Sequence, residues 1–261
     1  MTDYRVTVPG RKCIKRMIQD GIAPLGLGVS IPSPFIAELA AEAGFDFVWI
    51  DLEHNLFNPE TVADFVRAAD AAGIATTVRV SQLELVLPLL DFGVVGFTFP
   101  HVRSAAQARE IVDTVKFAPV GRRGFAPSGR AMAFGTGAFS DYLKKAEDEI
   151  TIWIMLEDKE GLEHCEEILA VPGIDYMFMG PGDLAQAVGH IGDVSHPDCR
   201  AARLRLIDAA EKAGIPHEFS CAPLVIATDK SLLLGSMKAA CEGARNRLAT
   251  RKQVDKGQWP P

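Results

Sequence analysis

A chain of 261 residues, 48% hydrophobic and 23% charged, can bury a full core as one soluble domain, and α/β barrels commonly occupy this length as a single unit. The net charge of -7 leaves no basic face for nucleic acid or an anionic bilayer, so a small-molecule partner is expected. The five cysteines are odd in number and widely spaced, which fits neither a disulfide framework nor a zinc-finger spacing and points to a reducing, cytoplasmic setting.

Residues 1–20 read as a charged lead-in, broken by Pro9 and Gly10 and without the apolar core of a signal peptide. Apolar, strand-like runs follow at 25–29, 45–50, 75–80, 95–99, 150–156, 175–179, 215–219 and 224–228, eight in all. The segments between them carry helical spacing. Pro59–Ala72 is predicted to be a helix opened by Asn58 as N-cap and closed by Gly73; 159–170 and 201–213 behave likewise. The apolar stretch 83–99 is interrupted by Glu84, Pro88 and Asp91, which argues against a membrane span. Two stretches, 120–137 and 180–197, break the alternation and read as irregular loops, and long loops in compact domains are usually functional or mobile. A long helix is expected over 230–248, followed by a polar tail, 249–261. Strand-then-helix repeated about eight times specifies an α/β fold, a single (β/α)8 TIM barrel spanning 1–261. A doubly wound sheet is the alternative, but GLGVSIPS after the first strand does not fit G-x-G-x-x-G.

Three acids, Asp51, Glu157 and Asp183, sit at or just past the C-terminal ends of the runs FDFVWI, ITIWIML and IDYMFMGPG, and functional side chains gather at that end of a parallel sheet. Glu157 and Asp183 form a candidate metal pair, because a hard divalent cation such as Mg²⁺ or Mn²⁺ is commonly held by one or two carboxylates with other positions left to water and substrate. Either acid alone would equally serve as the cap of the helix that follows it. Gly180, Pro181 and Gly182 precede Asp183 at an expected helix start, where small residues let amides approach a substrate carboxylate; a tight turn is the plainer reading.

Arg79 places a charge at the end of the apolar strand TTVRV, where burial requires an anionic partner. Its guanidinium suits a carboxylate or a developing enolate oxygen, with an internal salt bridge as the alternative. His54 follows Asp51 by three residues, a spacing that lets the carboxylate orient the imidazole so that the pair moves a proton near neutral pH. His101, His190, His196 and His217 form no zinc signature. Lys116 and Lys159 read as surface groups rather than Schiff-base lysines, and no G-x-S-x-G elbow exists.

The runs GFDFVWIDLEHNLFNPETVADFVRAADAAGIATTVRV, GRRGFAPSGRA, IMLEDKEGLEHCEEILAVPGIDYMFMGPGDLAQAVGHIG and VIATDKSLLLGSMKAA, in this order, resemble the HpcH/HpaI family of class II pyruvate aldolases over residues 25–240. The resemblance implies a metal-dependent barrel that cleaves a 4-hydroxy-2-oxo acid to pyruvate and an aldehyde, or runs the reverse addition. It implies Glu157 and Asp183 as ligands of a divalent cation (Mg²⁺ or Mn²⁺, with Co²⁺ or Zn²⁺ as alternatives), Arg79 on the pyruvyl oxygen, His54 with Asp51 as the acid/base dyad, and the Gly180 and Gly182 backbone on the carboxylate. It further implies a homo-oligomer, a hexamer in which the final helix packs on a neighbouring subunit. Many members carry Gln where this chain has Met155, so a polar group facing the pocket is lost. Two other functions remain compatible with the sequence: an acyl-CoA lyase of the malyl- or citramalyl-CoA type, and a non-catalytic barrel that binds pyruvate or metal.

Overall fold

The computed structural model describes residues 11–220 and 222–251, the side chains of 250 and 251 excepted; Cys221, the first ten residues of the expected lead-in and the tail from 252 lie outside them. In chain order the elements are α1 (Ile14–Gln19), β1 (Leu25–Val29), α2 (Phe35–Glu42), β2 (Phe47–Asp51), α3 (Pro59–Ala72), β3 (Ala75–Arg79), α4 (Val86–Phe92), β4 (Gly96–Phe99), α5 (Ala105–Val115), α6 (Phe139–Glu149) and β5 (Thr151–Met155). They continue with α7 (Lys159–Glu163), α8 (Cys165–Leu169), β6 (Tyr176–Phe178), α9 (Pro181–Ala187), α10 (Pro197–Ala213), β7 (Leu224–Thr228) and α11 (Asp229–Arg251). The strands form one curled parallel sheet in the order β6-β5-β4-β3-β2-β1-β7.

Among the described residues seven strands form where eight are predicted. The run 215–219 is reduced to one parallel bridge between His217 and Met177. Pro216 has no N–H to donate, although its carbonyl accepts from the Met177 amide at 3.0 Å. The chain then turns: the His217 amide donates to Ser220 Oγ at 2.8 Å and the Ser220 amide returns to the His217 carbonyl at 2.8 Å. With its donor spent inside the turn, the segment cannot extend the ladder. A crossover between parallel strands needs about a dozen residues or more, and the short link from His217 to Leu224 carries no helix among the described residues. The described wall is therefore a seven-stranded partial barrel, with β7 paired to β1 and with β6 and β7 as its edges.

Two apolar layers hold it. Outward-facing Val48, Ile50, Val78, Phe97, Ile152 and Ile154 pack under helix residues such as Val62, Phe65, Val66 and Ile111. Inside, Phe47, Trp153 and Tyr176 stack edge to face and meet Ile14 of α1, which plugs the N-terminal end of the barrel. Burial of each such side chain stabilises by about 1.5–3 kcal/mol. α3 forms as its sequence dictates: Asn58 Oδ1 accepts from the Thr61 amide at 2.8 Å, Pro59 opens the first turn, and Gly73 closes it at φ 80°.

Three further expectations are corrected. The helix expected over 159–170 is split at His164, whose backbone (φ -104°, ψ 15°) leaves the α region. The stretch 180–197 contains α9, because Gly180 and Pro181 supply a start as well as a turn. Lys116 is buried, not a surface group; its Nζ donates to the Ile150 carbonyl at 2.7 Å and lies 3.6 Å from Asp175. Burial pushes this ammonium below its ordinary range against the opposing pull of Asp175.

α11 is anchored at its start, where buried Asp229 accepts from the Ser30 and Ile31 amides. Beyond that anchor Leu232, Leu233, Leu234, Met237 and Leu248 are exposed. No helix among the described residues is long and apolar enough to cross a membrane.

Candidate active site at the C-terminal end of the sheet

Because the strands are parallel and adjacent, the residues that end β2, β3, β4, β5 and β6 are brought to one rim. Asp51 and Arg79 are register partners on β2 and β3. Both are buried, and they form a two-pronged pair: Arg79 Nε donates to Asp51 Oδ1 at 2.8 Å and Nη2 to Oδ2 at 2.7 Å. The Glu53 and His54 amides also donate to Asp51 Oδ1, and Asn55 Nδ2 to Oδ2. Burial alone would raise the Asp51 carboxyl; the Arg79 hydrogen bonds and charge, with the two amides, outweigh it and hold the group below the usual aspartate range. Arg79 also lies over the Trp49 ring at 4.9 Å, and its Nη1 is 3.2 Å from Glu53 Oε2.

This geometry corrects the expected dyad. Asp51 meets His54 through the backbone amide, not through the imidazole, since its oxygens are already occupied by Arg79 and Asn55. The His54 ring is largely exposed, and its nearest carboxylate is Glu53 at 3.7 Å. Arg79 takes the salt-bridge alternative while keeping capacity to spare. A guanidinium has five N–H donors. Two are committed to Asp51, and a third faces Glu53.

Glu157 follows β5 and is almost wholly buried. Its Oε1 accepts from the His101 amide at 3.1 Å; its Oε2 is buried and receives no hydrogen bond from the described residues. Burial first, then the like charges of Asp183 and Glu53, push this carboxyl above the usual glutamate range, against the opposing His101 amide and ring. Asp183 therefore stands close enough to be felt electrostatically. It lies half-buried in the first turn of α9, right after the Gly180-Pro181-Gly182 start. At Gly180 an added Cβ would overlap Glu157 Oε2 and touch the Met155 methyl, whereas at Gly182 it would meet open space. An orphaned, desolvated carboxylate oxygen beside a second acid suits a cation, which supplies counter-charge at Oε2, where no hydrogen-bond donor is found among the described residues.

Three residues here were not singled out from sequence: Glu53, His101 as a structural member, and Asp158. His101 Nδ1 lies 3.1 Å from Asp158 Oδ2 and its Nε2 3.5 Å from Glu53 Oε1, so the ring bridges the loops after β2 and β5. Asp158 is held from its other side by Arg103. The available signal is position: each lies two or three residues past a predicted strand. A cavity of about 280 Å³ opens beside Glu53, lined by Asn55, Phe57, Val80, Ser81 and Gln82 among others. His190, His196 and Asp198 also gather, with donor atoms within 4.8 Å of one another. There His190 Nε2 pairs with Asp198 Oδ2 at 2.8 Å and His196 Nδ1 accepts from the Asp198 amide, so the cluster caps α10.

A family model described as HpcH/HpaI aldolase/citrate lyase matches residues 25–222. The 2-dehydro-3,6-dideoxy-6-sulfogluconate aldolase of Pseudomonas putida is 37% identical over 202 residues, which cover 77% of this chain and 78% of that protein. A hydroxypyruvate/pyruvate aldolase of Pseudomonas aeruginosa is 33% identical over 240 residues, covering 86% and 89%. The crystal structure of a family protein from Burkholderia cenocepacia J2315 superposes with a TM-score of 0.80 at 32% identity, covering 88% of this chain and 98% of that one.

Proposed function

Because the chain belongs to the HpcH/HpaI aldolase/citrate lyase family, we propose that it is a class II aldolase that cleaves a 4-hydroxy-2-oxo acid to pyruvate and an aldehyde, or runs the reverse addition. The observation that carries the reading is Glu157 Oε2, buried without a hydrogen-bond partner among the described residues, facing Gly180 and within electrostatic reach of Asp183. Glu157 and Asp183 hold a divalent cation, Mg²⁺ or Mn²⁺ by the hardness of the two oxygens, with Co²⁺ or Zn²⁺ also compatible. When bound, that cation supplies Lewis-acid stabilisation of the charge that develops on the substrate 2-oxo oxygen.

The protein's own groups do the rest. The Gly180–Gly182 turn receives the substrate carboxylate, since Gly182 leaves space and the first-turn amides of a helix lack intrahelical acceptors. His54 takes the C4 hydroxyl proton, directly or through a water, with Glu53 rather than Asp51 as its nearest carboxylate. As the C3–C4 bond breaks, its electron pair moves toward C2 and the aldehyde departs. Arg79, fixed by Asp51, directs its uncommitted N–H groups at the oxygen that gains charge. Reprotonation at C3 then yields pyruvate. The exposed apolar side chains of α11 further support an oligomer in which this helix packs on a neighbouring copy, as in the hexamer the resemblance implies.

The test is pyruvate release from a 4-hydroxy-2-oxo acid before and after chelation. Excess EDTA should abolish it and added Mn²⁺ or Mg²⁺ restore it; cleavage that persists in EDTA would overturn the cation reading.

A further inference from the structure

His101 has no assigned part in the reaction described above, yet its backbone is held in an unusual conformation. Its φ is 55°, in the left-handed region that non-glycine residues seldom enter and that persists only where the surroundings enforce it. Among the described residues the other non-glycine cases, Ala133 and Phe134, belong to a short helical turn at Arg130–Gly135, whereas His101 lies just past β4 at the acidic rim. Gln107 Nε2 donates to the His101 carbonyl at 3.2 Å and helps fix the turn.

The turn has a specific consequence. Within it the residue's amide donates to Glu157 Oε1 at 3.1 Å, while Oε2, on the side of Gly180, receives no hydrogen bond from the described residues. A carboxylate gripped by one oxygen and free at the other has a defined direction. The imidazole lies 3.6 Å from the same Oε1 but is engaged with Asp158 and faces Glu53, so the amide is the shorter and better directed contact on Glu157.

We propose that His101 is a positioning residue for the cation site: its left-handed backbone, rather than its imidazole, aims Glu157 so that Oε2 is presented to the ion. The inference rests on the reading of Glu157 and Asp183 as cation ligands. Partners that orient a metal-binding side chain typically alter metal affinity by about 10- to 100-fold when removed.

Substitutions at this one position separate backbone from ring. H101V opposes positive φ, H101G and H101N tolerate it, and only the wild type carries the imidazole. Mn²⁺ binding to the metal-free protein is measured by calorimetry, at a temperature where circular dichroism shows each variant folded. H101V should bind about 10- to 100-fold more weakly than wild type, with H101G and H101N within about threefold of it, a rescue that loss of the ring cannot explain. Wild-type affinity in H101V, or an H101G as weak as H101V, overturns the proposal. Should H101V not fold, H101A and H101G both lack the ring and differ in their tolerance of the turn; H101G must then bind more tightly, and equal affinities overturn the proposal. E157Q keeps the two readings apart: a wild type that binds no Mn²⁺, or an E157Q that binds like wild type, defeats the cation site itself.

Discussion

The backbone of Gly180 and the carboxylate of Glu157 adjoin so closely that no Cβ fits between them: it would overlap Oε2. The glycine is thus required by the acid, and the first prediction tests that dependence. In G180A the methyl must displace Glu157 from its pose, because it would overlap Oε2 and also press on the Met155 methyl. Mn²⁺ affinity should fall by about 10- to 100-fold, as for loss of an orienting partner. Calorimetric titration checks this, and unchanged affinity would show that Oε2 does not face the ion.

Asp51 and Arg79 form a buried pair, so D51N should leave the guanidinium with Glu53, 3.2 Å from Nη1, as its remaining carboxylate and cost up to about 3–5 kcal/mol at neutral pH. The sign of the pH dependence follows from the depressed Asp51 carboxyl. Its contribution is complete above the unfolded value of about 3.9 and is lost as pH falls through the lower folded value. The stability gap between wild type and D51N should therefore be widest near neutrality and narrow in acid. Urea unfolding at several pH values measures it; a gap that widens on acidification contradicts the assignment.

Most of the sheet was legible because parallel strands buried on both faces read as continuous apolar runs, and β1 to β6 follow those runs closely. The error at 215–219 arose because a hydrogen-bond commitment leaves no trace in apolar periodicity: Ser220 takes the His217 amide, and nothing in IPHEF announces it. Strand ends are visible for a similar reason, and Asp51 ends β2 while Glu157 follows β5. The pairings of these acids are not visible. Asp51 lies near both His54 and Arg79, and only the register of β2 with β3 decides that Arg79 takes the carboxylate. His101 is set apart by its backbone conformation, not its side-chain type, and apolar periodicity carries no sign of that.

Met155 is buried, and its methyl, like Glu157 Oε2, borders the space where a Cβ at Gly180 would lie. M155Q introduces an amide able to donate to that orphaned oxygen. The cost of burying an unpaired amide, about 1–3 kcal/mol, is offset where the bond forms, so thermal stability should change little. A donor to the ionised form favours it, which lowers a carboxyl that burial now holds high. Because cation binding requires the carboxylate, the pH midpoint of Mn²⁺ binding should move to lower pH in M155Q. A midpoint that stays in place or rises would mean that residue 155 does not reach Glu157.

α11 is tied to the barrel by Asp229 and by Lys230, whose Nζ donates to Asn55 Oδ1 at 3.0 Å. Past this anchor, exposed Leu233, Leu234 and Met237 form one stretch of apolar surface on a helix with little else to bury it. A second copy of the chain is the covering surface proposed here. Burying a carboxylate in such a contact is costly, so L234D combined with M237D should shift the protein to a smaller species. Asn55 bonds both Asp51 and Lys230, so the start of this helix also borders the site, and cleavage should decline with assembly. Light scattering coupled to size-exclusion chromatography reads the mass. An identical mass for wild type and the double variant would show that α11 is not the subunit contact.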